Sequence, residues 1–134
     1  MSILVTDTGF SPAPVAEAVA LADIASHQGA VDLVHTDDPQ ALVAYLGDLH
    51  LIRVSFPAFS DGRAFTIARR LRALGYKGKL RAVGPVIADQ YPMARRVGFD
   101  AVEIPDEMAA RQPEAQWLNR ANWRAHDYQA RLKA

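Results

Sequence analysis

The chain contains no cysteine, and this absence removes several kinds of chemistry at once. Disulfides, thiolate nucleophiles, iron–sulfur clusters and cysteine-ligated zinc all require that residue. No apolar run approaches the roughly 20 residues that a membrane-spanning helix needs. The amino terminus also lacks the basic stretch and long apolar core of a secretory signal. We therefore expect a cytoplasmic protein without membrane contact.

The sequence fingerprints of common enzyme classes are also missing. The chain has no GxGxxG, no GxxxxGK[ST] and no GxSxG motif, so dinucleotide sites, phosphate-binding loops and nucleophile elbows are not indicated. Its four histidines are scattered. His35 lies beside Asp37 and Asp38, but Pro39 follows, which favours helix capping over metal binding. The sequence predicts neither a cofactor nor a metal site, and leaves open whether the protein is an enzyme.

The composition is that of a globular domain, with 50% hydrophobic and 22% charged residues in a chain of 134. Apolar runs alternate with amphipathic runs, which predicts a single α/β domain with a mostly parallel sheet of about five strands. The predicted strands are residues 3–6, 30–36, 49–56, 79–84 and 100–105. The predicted helices are residues 11–26, 37–48, 62–74, 85–97 and a segment from 106 onward.

This pattern divides the chain into an α/β core, residues 1–105, and a C-terminal helical extension of the same domain, residues 106–134. We expect the strands and helices of this domain to form either three layers or a partial barrel. The extension carries one apolar stripe, which favours packing on its own domain, with a homodimer arm as the alternative.

The formal net charge is zero, but the charges are unevenly distributed. Residues 1–60 carry seven acids and a single basic residue, Arg53, whereas residues 61–99 carry nine basic residues and two acids. A basic segment can attract an acidic protein, a small anion or nucleic acid. Few aromatic residues are interleaved with it, so nucleic acid is the least favoured of the three. The candidate partner-binding residues lie off the apolar stripe of the helix over 62–74: Arg69, Arg70 and Arg72.

The stretch SDGR follows the third predicted strand, at the edge where parallel sheets bind ligands. Ser60 or Asp61 can cap the next helix, and Gly62 permits a tight turn. Arg63 is unfavourable at a helix N-terminus unless it pairs with a carboxylate or a bound oxyanion, and both remain open. The candidate ligand-binding residues are Asp61, Gly62, Arg63, Arg81, Asp89 and Gln90.

Charged residues also occur inside the predicted strands. The two-residue period places Arg53 with Ser55 on one face of their strand. If Arg81 and Glu103 share a face, we expect them to form an ion pair. That pair is either structural or the floor of a polar pocket.

Three blocks of the chain, FPAFSDGRAFTIARRLR, GYKGKLRAVG and ADQ…GFDA, occur in an order and spacing that resembles a known family. The resemblance covers about residues 42–104. It is to the bacterial domain-of-unknown-function 934 family, whose members carry the label of an oxidoreductase involved in sulfite reduction. Four positions depart from the usual family pattern: Ser55, Ala64, Pro85 and Ala88.

The resemblance implies a link to sulfur assimilation but supplies no set of catalytic residues. Together with the missing redox motifs, it predicts a non-catalytic accessory of assimilatory sulfite reduction. Its expected partner is sulfite reductase or the electron donor of that enzyme. The alternative is an enzyme or sensor that binds a small oxyanion, such as sulfite, sulfate or a phosphorylated metabolite, at the turns after strands three and four.

Overall fold

The structure is a computed structural model that describes residues 2–13, 17–58 and 62–121. The strands are β1 (Ser2–Thr6), β2 (Gly9–Pro12), β3 (Val19–Ala20), β4 (Ala30–Leu33), β5 (Leu51–Ser55), β6 (Lys79–Val83) and β7 (Ala101–Pro105). The α-helices are α1 (Arg63–Ala73), α2 (Tyr91–Val97), α3 (Asp106–Arg111) and α4 (Glu114–Arg120). Three 3₁₀ segments cover Leu21–Ser26, Pro39–Tyr45 and Ala88–Gln90.

All seven strands belong to one sheet, in the order β2-β1-β7-β6-β5-β4-β3. Strands β3 to β7 are parallel and stand side by side in chain order, while β1 is antiparallel to both β2 and β7. Each parallel strand after β3 is therefore reached by a crossover that moves in the same direction across the sheet. Because such crossovers are right-handed, their helical segments all lie on one face.

The hydrophobic core fills the space between this face and the helices. Alternate strand residues, including Ile52, Val54 and Leu80, are fully buried there. The helix α1 contributes its predicted apolar stripe, with Ala64 and Leu71 fully buried. We call this side of the sheet the covered face, and the opposite side, over which no described helix packs, the open face.

The α/β class and the five predicted strands are confirmed, but the sheet gains two short strands that the sequence did not reveal. The predicted helix over residues 11–26 is wrong in its described part. Residues Gly9–Pro12 pair with β1, and only Leu21–Ser26 is helical, as a 3₁₀ segment. Pro12 and Pro14 oppose a helix here, since proline disfavours helical backbone in the residue before it.

The predicted C-terminal helix consists, as far as it is described, of α3 and α4. Trp117 of α4 is 1% exposed, donates its indole N–H to the carbonyl of Gln112 at 2.9 Å, and contacts the rings of Phe10 and Tyr91 edge-on. This part of the extension therefore packs on its own domain. The proposed dimer arm falls mainly on residues 122–134, which lie outside the described residues. Within the described ranges, every helix is too short or too polar to cross a membrane.

Candidate functional site

Four charged side chains form a row across the open face, and we call them the charged row: Asp32, Arg53, Arg81 and Glu103. The strand register aligns Asp32 with Arg53 and Arg53 with Arg81 on neighbouring strands. Arg53 donates two hydrogen bonds to the Asp32 carboxylate, at 2.7 and 2.8 Å. Glu103 accepts from Arg81 Nη1 at 3.2 Å and from Arg53 Nη1 at 3.5 Å. The predicted ion pair between Arg81 and Glu103 is therefore confirmed.

The charged row is buried at its Glu103 end, more exposed at its Asp32 end, and electrically balanced. Glu103 is only 7% exposed, and the side chain of Arg81 is 12% exposed. Hydrogen bonding to Asp32, with the nearby charge of Glu103, raises the pKa of Arg53 above its ordinary value. Two cations and two anions satisfy one another, so the row holds no surplus charge for a ligand. Of its members, the sequence did not identify Asp32, although an acid inside the apolar run AVDLV was an available signal.

The turn after β5 contains half of the predicted ligand-binding residues. Ser60 and Asp61 lie outside the described residues. The helix cap predicted for one of them therefore stays a prediction. Gly62 is the N-cap residue of α1, and its φ of −88° is one that other residues adopt readily. Arg63 is the first residue of α1 and is exposed.

Of the other three predicted residues, Arg81 lies within β6, and Asp89 and Gln90 lie in the turn after it, where both make contacts within the fold. Gln90 accepts a hydrogen bond from the Ile87 N–H at 3.1 Å. Asp89 accepts from Arg120 Nε and Nη2, at 3.1 and 2.7 Å. This turn packs against α4 beside the covered face, whereas Arg81 binds Glu103 on the open face. The structure therefore separates Arg81 from Asp89 and Gln90.

The loop before Pro39 caps the helical segment Pro39–Tyr45, as the sequence indicates. Asp38 Oδ1 accepts a hydrogen bond from the Gln40 N–H at 2.9 Å, and Asp37 Oδ2 accepts from the Val34 N–H at 2.9 Å. No group of three or more metal-ligating side chains occurs within residues 2–13, 17–58 and 62–121.

The hairpin of β1 and β2 is tied to α2 by a polar cluster. The hydroxyl of Tyr91 donates to Asp7, which also accepts from Arg95 Nε and Nη2 at 3.2 Å each. Burial, reinforced by the hydrogen bond to Asp7, raises the pKa of Tyr91 well above its ordinary value. Arg95 also donates to the Phe99 carbonyl at 2.6 Å. Tyr91 and Arg95 thus hold α2 in place.

The three predicted partner-binding arginines of α1 have different surroundings. Arg72 points inward and donates to three main-chain carbonyls, those of Tyr76, Gly78 and Gly98, at 2.7–3.0 Å. It also binds Asp100 at 3.0 Å. Arg69 and Arg70 are exposed, and Arg70 contacts Asp38, which is also exposed, at 3.6 Å. Among the described residues, no carboxylate lies within salt-bridge distance of Arg69.

A groove runs between α1 and α2 beside Arg69. Its volume is about 380 Å³, and its lining residues are Phe65, Thr66, Arg69, Met93 and Val97. Met93 is 43% exposed and so presents apolar surface at the groove. Arg96, also exposed, follows on the same helix. Arg69 could be identified from the sequence, but Phe65 and Met93 could not, because their exposure depends on how the two helices pack.

The comparisons with known proteins yield one match. The family described as "Bacterial protein of unknown function (DUF934)" matches residues 30–134, beyond both ends of the region in which the sequence resemblance was seen. No curated protein and no solved structure matches the chain.

Proposed function

The chain belongs to this family of bacterial proteins of unknown function, DUF934, and we propose that it is a non-catalytic accessory of assimilatory sulfite reduction. In this proposal it works in the cytoplasm and binds an acidic protein partner. The binding surface is the groove between α1 and α2 with Arg69 in its wall and Arg70 next to it on α1, which we call the basic groove. The observation that carries the proposal is the exposed Arg69 in the wall of a groove whose other lining residues are mostly apolar.

Charge argues for an acidic partner. Arg69 has no carboxylate partner among the described residues, and the ion pair of Arg70 with Asp38 joins two side chains that are each more than half exposed. Exposed pairs of this kind contribute little to stability, so exchanging Asp38 for a partner's carboxylate costs little. Arginine also binds carboxylates with two parallel hydrogen bonds, which favours it at interfaces.

The apolar lining of the groove argues for a helical partner segment. The groove lies between two helices, so its shape suits the apolar ridge of a third helix. Phe65, Met93 and Val97 would contact that ridge, and the flexible side chain of Met93 can adapt to it. Acidic residues beside the ridge would then meet Arg69 and Arg70. The chain's own residues 122–134 carry three basic residues and one acid, so their charge does not complement the groove.

The assignment to sulfite reduction rests on the family resemblance and not on the geometry. Within that process, the partner we propose is sulfite reductase or its electron donor. The chain has no cysteine and no nucleotide-binding motif of the kinds named above, which supports an accessory role over electron transfer by the protein itself.

A pull-down tests the proposal. The tagged protein is incubated at low salt with an extract of its source cells grown on sulfate, and bound proteins are identified by mass spectrometry. We expect sulfite reductase or its electron donor to be captured, and to be released as salt is raised, because salt screens exposed charges.

Two single variants locate the surface. Arg69→Glu should abolish capture, and Met93→Ser should weaken it. The matched control is Arg111→Glu on α3, which reverses the charge of a side chain that is 73% exposed and outside the groove. Capture that is equal for Arg69→Glu and wild type, with both variants folded, would overturn the assignment of the groove. Capture of neither sulfite enzyme by the wild type would overturn the link to sulfite reduction.

A further inference from the structure

A polar cavity lies at the edge of the sheet opposite the predicted ligand-binding turns. It has a volume of about 450 Å³ and lies where β5 and β6 begin. Its lining residues are Leu49, His50, Arg72, Lys77, Gly78, Lys79 and Asp100. This cavity is separate from the basic groove and shares no lining residue with it.

The cavity carries an excess of positive charge. Arg72 and Asp100 neutralise each other through their 3.0 Å ion pair. Lys77 and Lys79 are both exposed, and neither ammonium lies within salt-bridge distance of a carboxylate in the described part of the chain. Two ammonium groups and the His50 imidazole thus line a cavity in which the single carboxylate is already paired.

The backbone that carries the two lysines is held firmly. Arg72 Nη1 donates to the carbonyls of Tyr76 and Gly78, each at 3.0 Å, and the Tyr76 hydroxyl donates to the Lys79 carbonyl at 2.9 Å. Gly78 packs so closely on the Tyr76 hydroxyl that a Cβ there would overlap it. Fixing the backbone reduces the ordering that a ligand must impose, so less binding energy is lost.

His50 is fixed relative to the same segment. Its carbonyl accepts a hydrogen bond from the Lys79 N–H at 3.0 Å, and its own N–H donates to the Gly29 carbonyl at 2.8 Å. The imidazole ring lies against Gly29, where φ is +105° and a Cβ would overlap the ring. Glycine at position 29 therefore both permits the backbone turn and leaves space for the histidine.

We propose that this cavity, which we call the lysine cavity, binds a small inorganic oxyanion with two negative charges, such as sulfate, sulfite or phosphate. Lys77 and Lys79 supply the charge, and the His50 ring supplies a further hydrogen-bond donor. Arg72 is a positioning residue, because its donors bind main-chain carbonyls and Asp100. The site does not depend on the basic groove or on any partner protein.

The test is an NMR titration of the labelled protein with sodium sulfate, sulfite or phosphate, and with sodium chloride at matched ionic strength. We expect saturable shifts of the His50, Gly78 and Lys79 amides, with a Kd at or below about 1 mM for a dianion. Chloride should produce only small, unsaturable shifts. Equal responses to chloride and to the three dianions would overturn the proposal.

Matched double variants complete the test. Lys77→Gln/Lys79→Gln should weaken dianion binding by at least about tenfold, because both charge-assisted contacts are lost. Arg69→Gln/Arg70→Gln removes the same charge from the basic groove and should leave the Kd unchanged. An equal loss of affinity in both variants would show general electrostatic attraction and would contradict a site in the lysine cavity. Because the lysine variant keeps the basic groove, it should still capture the partner protein, so the two proposals can fail separately.

Discussion

On the covered face of the sheet, the central strand positions are apolar and have no solvent exposure, whereas the open face carries charges at matching positions of the same strands. The buried residues of the covered face include Val31, Leu33, Ile52, Val54, Leu80, Ala82, Val102 and Ile104. The open face carries the charged row instead. Polar groups also behave differently on the two sides. Those of the open face bind one another, while Arg72 and Tyr76, at the edge of the helix layer, bind main-chain carbonyls.

The difference shows that the residue pattern of a parallel strand depends on which faces of the sheet the helices cover. Parallel sheets commonly have helices on both faces, and their strands then read as continuous apolar runs. Strands β4 to β7 stand in chain order, so their crossovers cover one face. The alternation of apolar and charged residues along them therefore matches a sheet whose described helices cover one face, so the three layers expected from the sequence are not found in the described part of the chain.

The largest effect should come from a cavity on the covered face. Leu80→Ala should lower the free energy of unfolding by about 3–4 kcal/mol, because a fully buried leucine cannot be replaced without leaving a void. Val83→Ala, on the same strand but the open face, should cost about 1 kcal/mol or less. Urea denaturation of both variants measures the contrast. Similar losses in the two variants would mean that the open face is as tightly packed as the covered one.

The next effect concerns the charged row. Glu103→Gln should cost about 2–3 kcal/mol, because it leaves Arg53 and Arg81 close together without the carboxylate between them. Asp32→Asn removes one charge at the exposed end of the row, where the side chain is 37% exposed, and should cost less.

Salt provides the control for this pair of variants. Added salt should reduce the loss of unfolding free energy caused by Asp32→Asn. It should change the loss caused by the buried Glu103→Gln substitution much less. The measurement is the denaturation midpoint of each variant at low and high salt. A Glu103→Gln variant as stable as the wild type would show that the row contributes nothing to folding.

The sequence was most informative where local spacing determines the outcome. The two-residue period led to an ion pair of Arg81 with Glu103 on the condition that they share a face, which they do, and Asp38 before Pro39 was enough to identify a helix cap. The helical stripe also placed Ala64 and Leu71 in the core. In each case, the residues involved lie within one element or in register-matched strands, so their geometry follows from the period of the backbone.

The sequence failed where long-range pairing determines the outcome. The apolar residues around Val19 have helical spacing, but the Val19–Ala20 segment pairs with β4 and adds an edge strand. The inward turn of Arg72 was also missed, since its acceptors include the Gly98 carbonyl, 26 residues away in the chain. The lysine cavity was missed for the same reason, because His50 and Lys79 meet only when β5 and β6 pair.

Within the helix layer, two arginines of the same helix provide the next contrast. Arg72→Ala should cost about 2 kcal/mol, because the Tyr76, Gly78 and Gly98 carbonyls lose a charged donor. Arg69→Ala should leave the free energy of unfolding within about 0.5 kcal/mol of wild type, since the side chain is exposed. Thermal denaturation of both variants checks the prediction. Arg72→Lys should restore little of this stability, because an ammonium cannot reproduce the forked donor geometry of the guanidinium.

The smallest effect is a pH dependence of the Tyr76 hydroxyl. Burial raises the pKa of Tyr76 to about 12, against 10.0 for an exposed tyrosine. A phenol with a raised pKa in the folded state supports stability fully below the pKa of the unfolded chain, and this support is lost as pH rises through the folded value. Tyr76→Phe should cost about 1 kcal/mol at neutral pH, because the hydrogen bond to the Lys79 carbonyl is lost.

The gap in unfolding free energy between the Tyr76→Phe variant and the wild type should therefore close as pH rises. Near pH 11, about one unit above the unfolded pKa, ionisation of the unfolded wild type lowers its stability by about 1.4 kcal/mol, a loss that phenylalanine does not share. Denaturation midpoints at neutral pH and near pH 11 measure the gap, and the near-ultraviolet difference spectrum between the two proteins reports ionisation of Tyr76 directly. A gap that stays constant over this range would mean that the pKa of Tyr76 is the same in the folded and unfolded protein, which would contradict its burial.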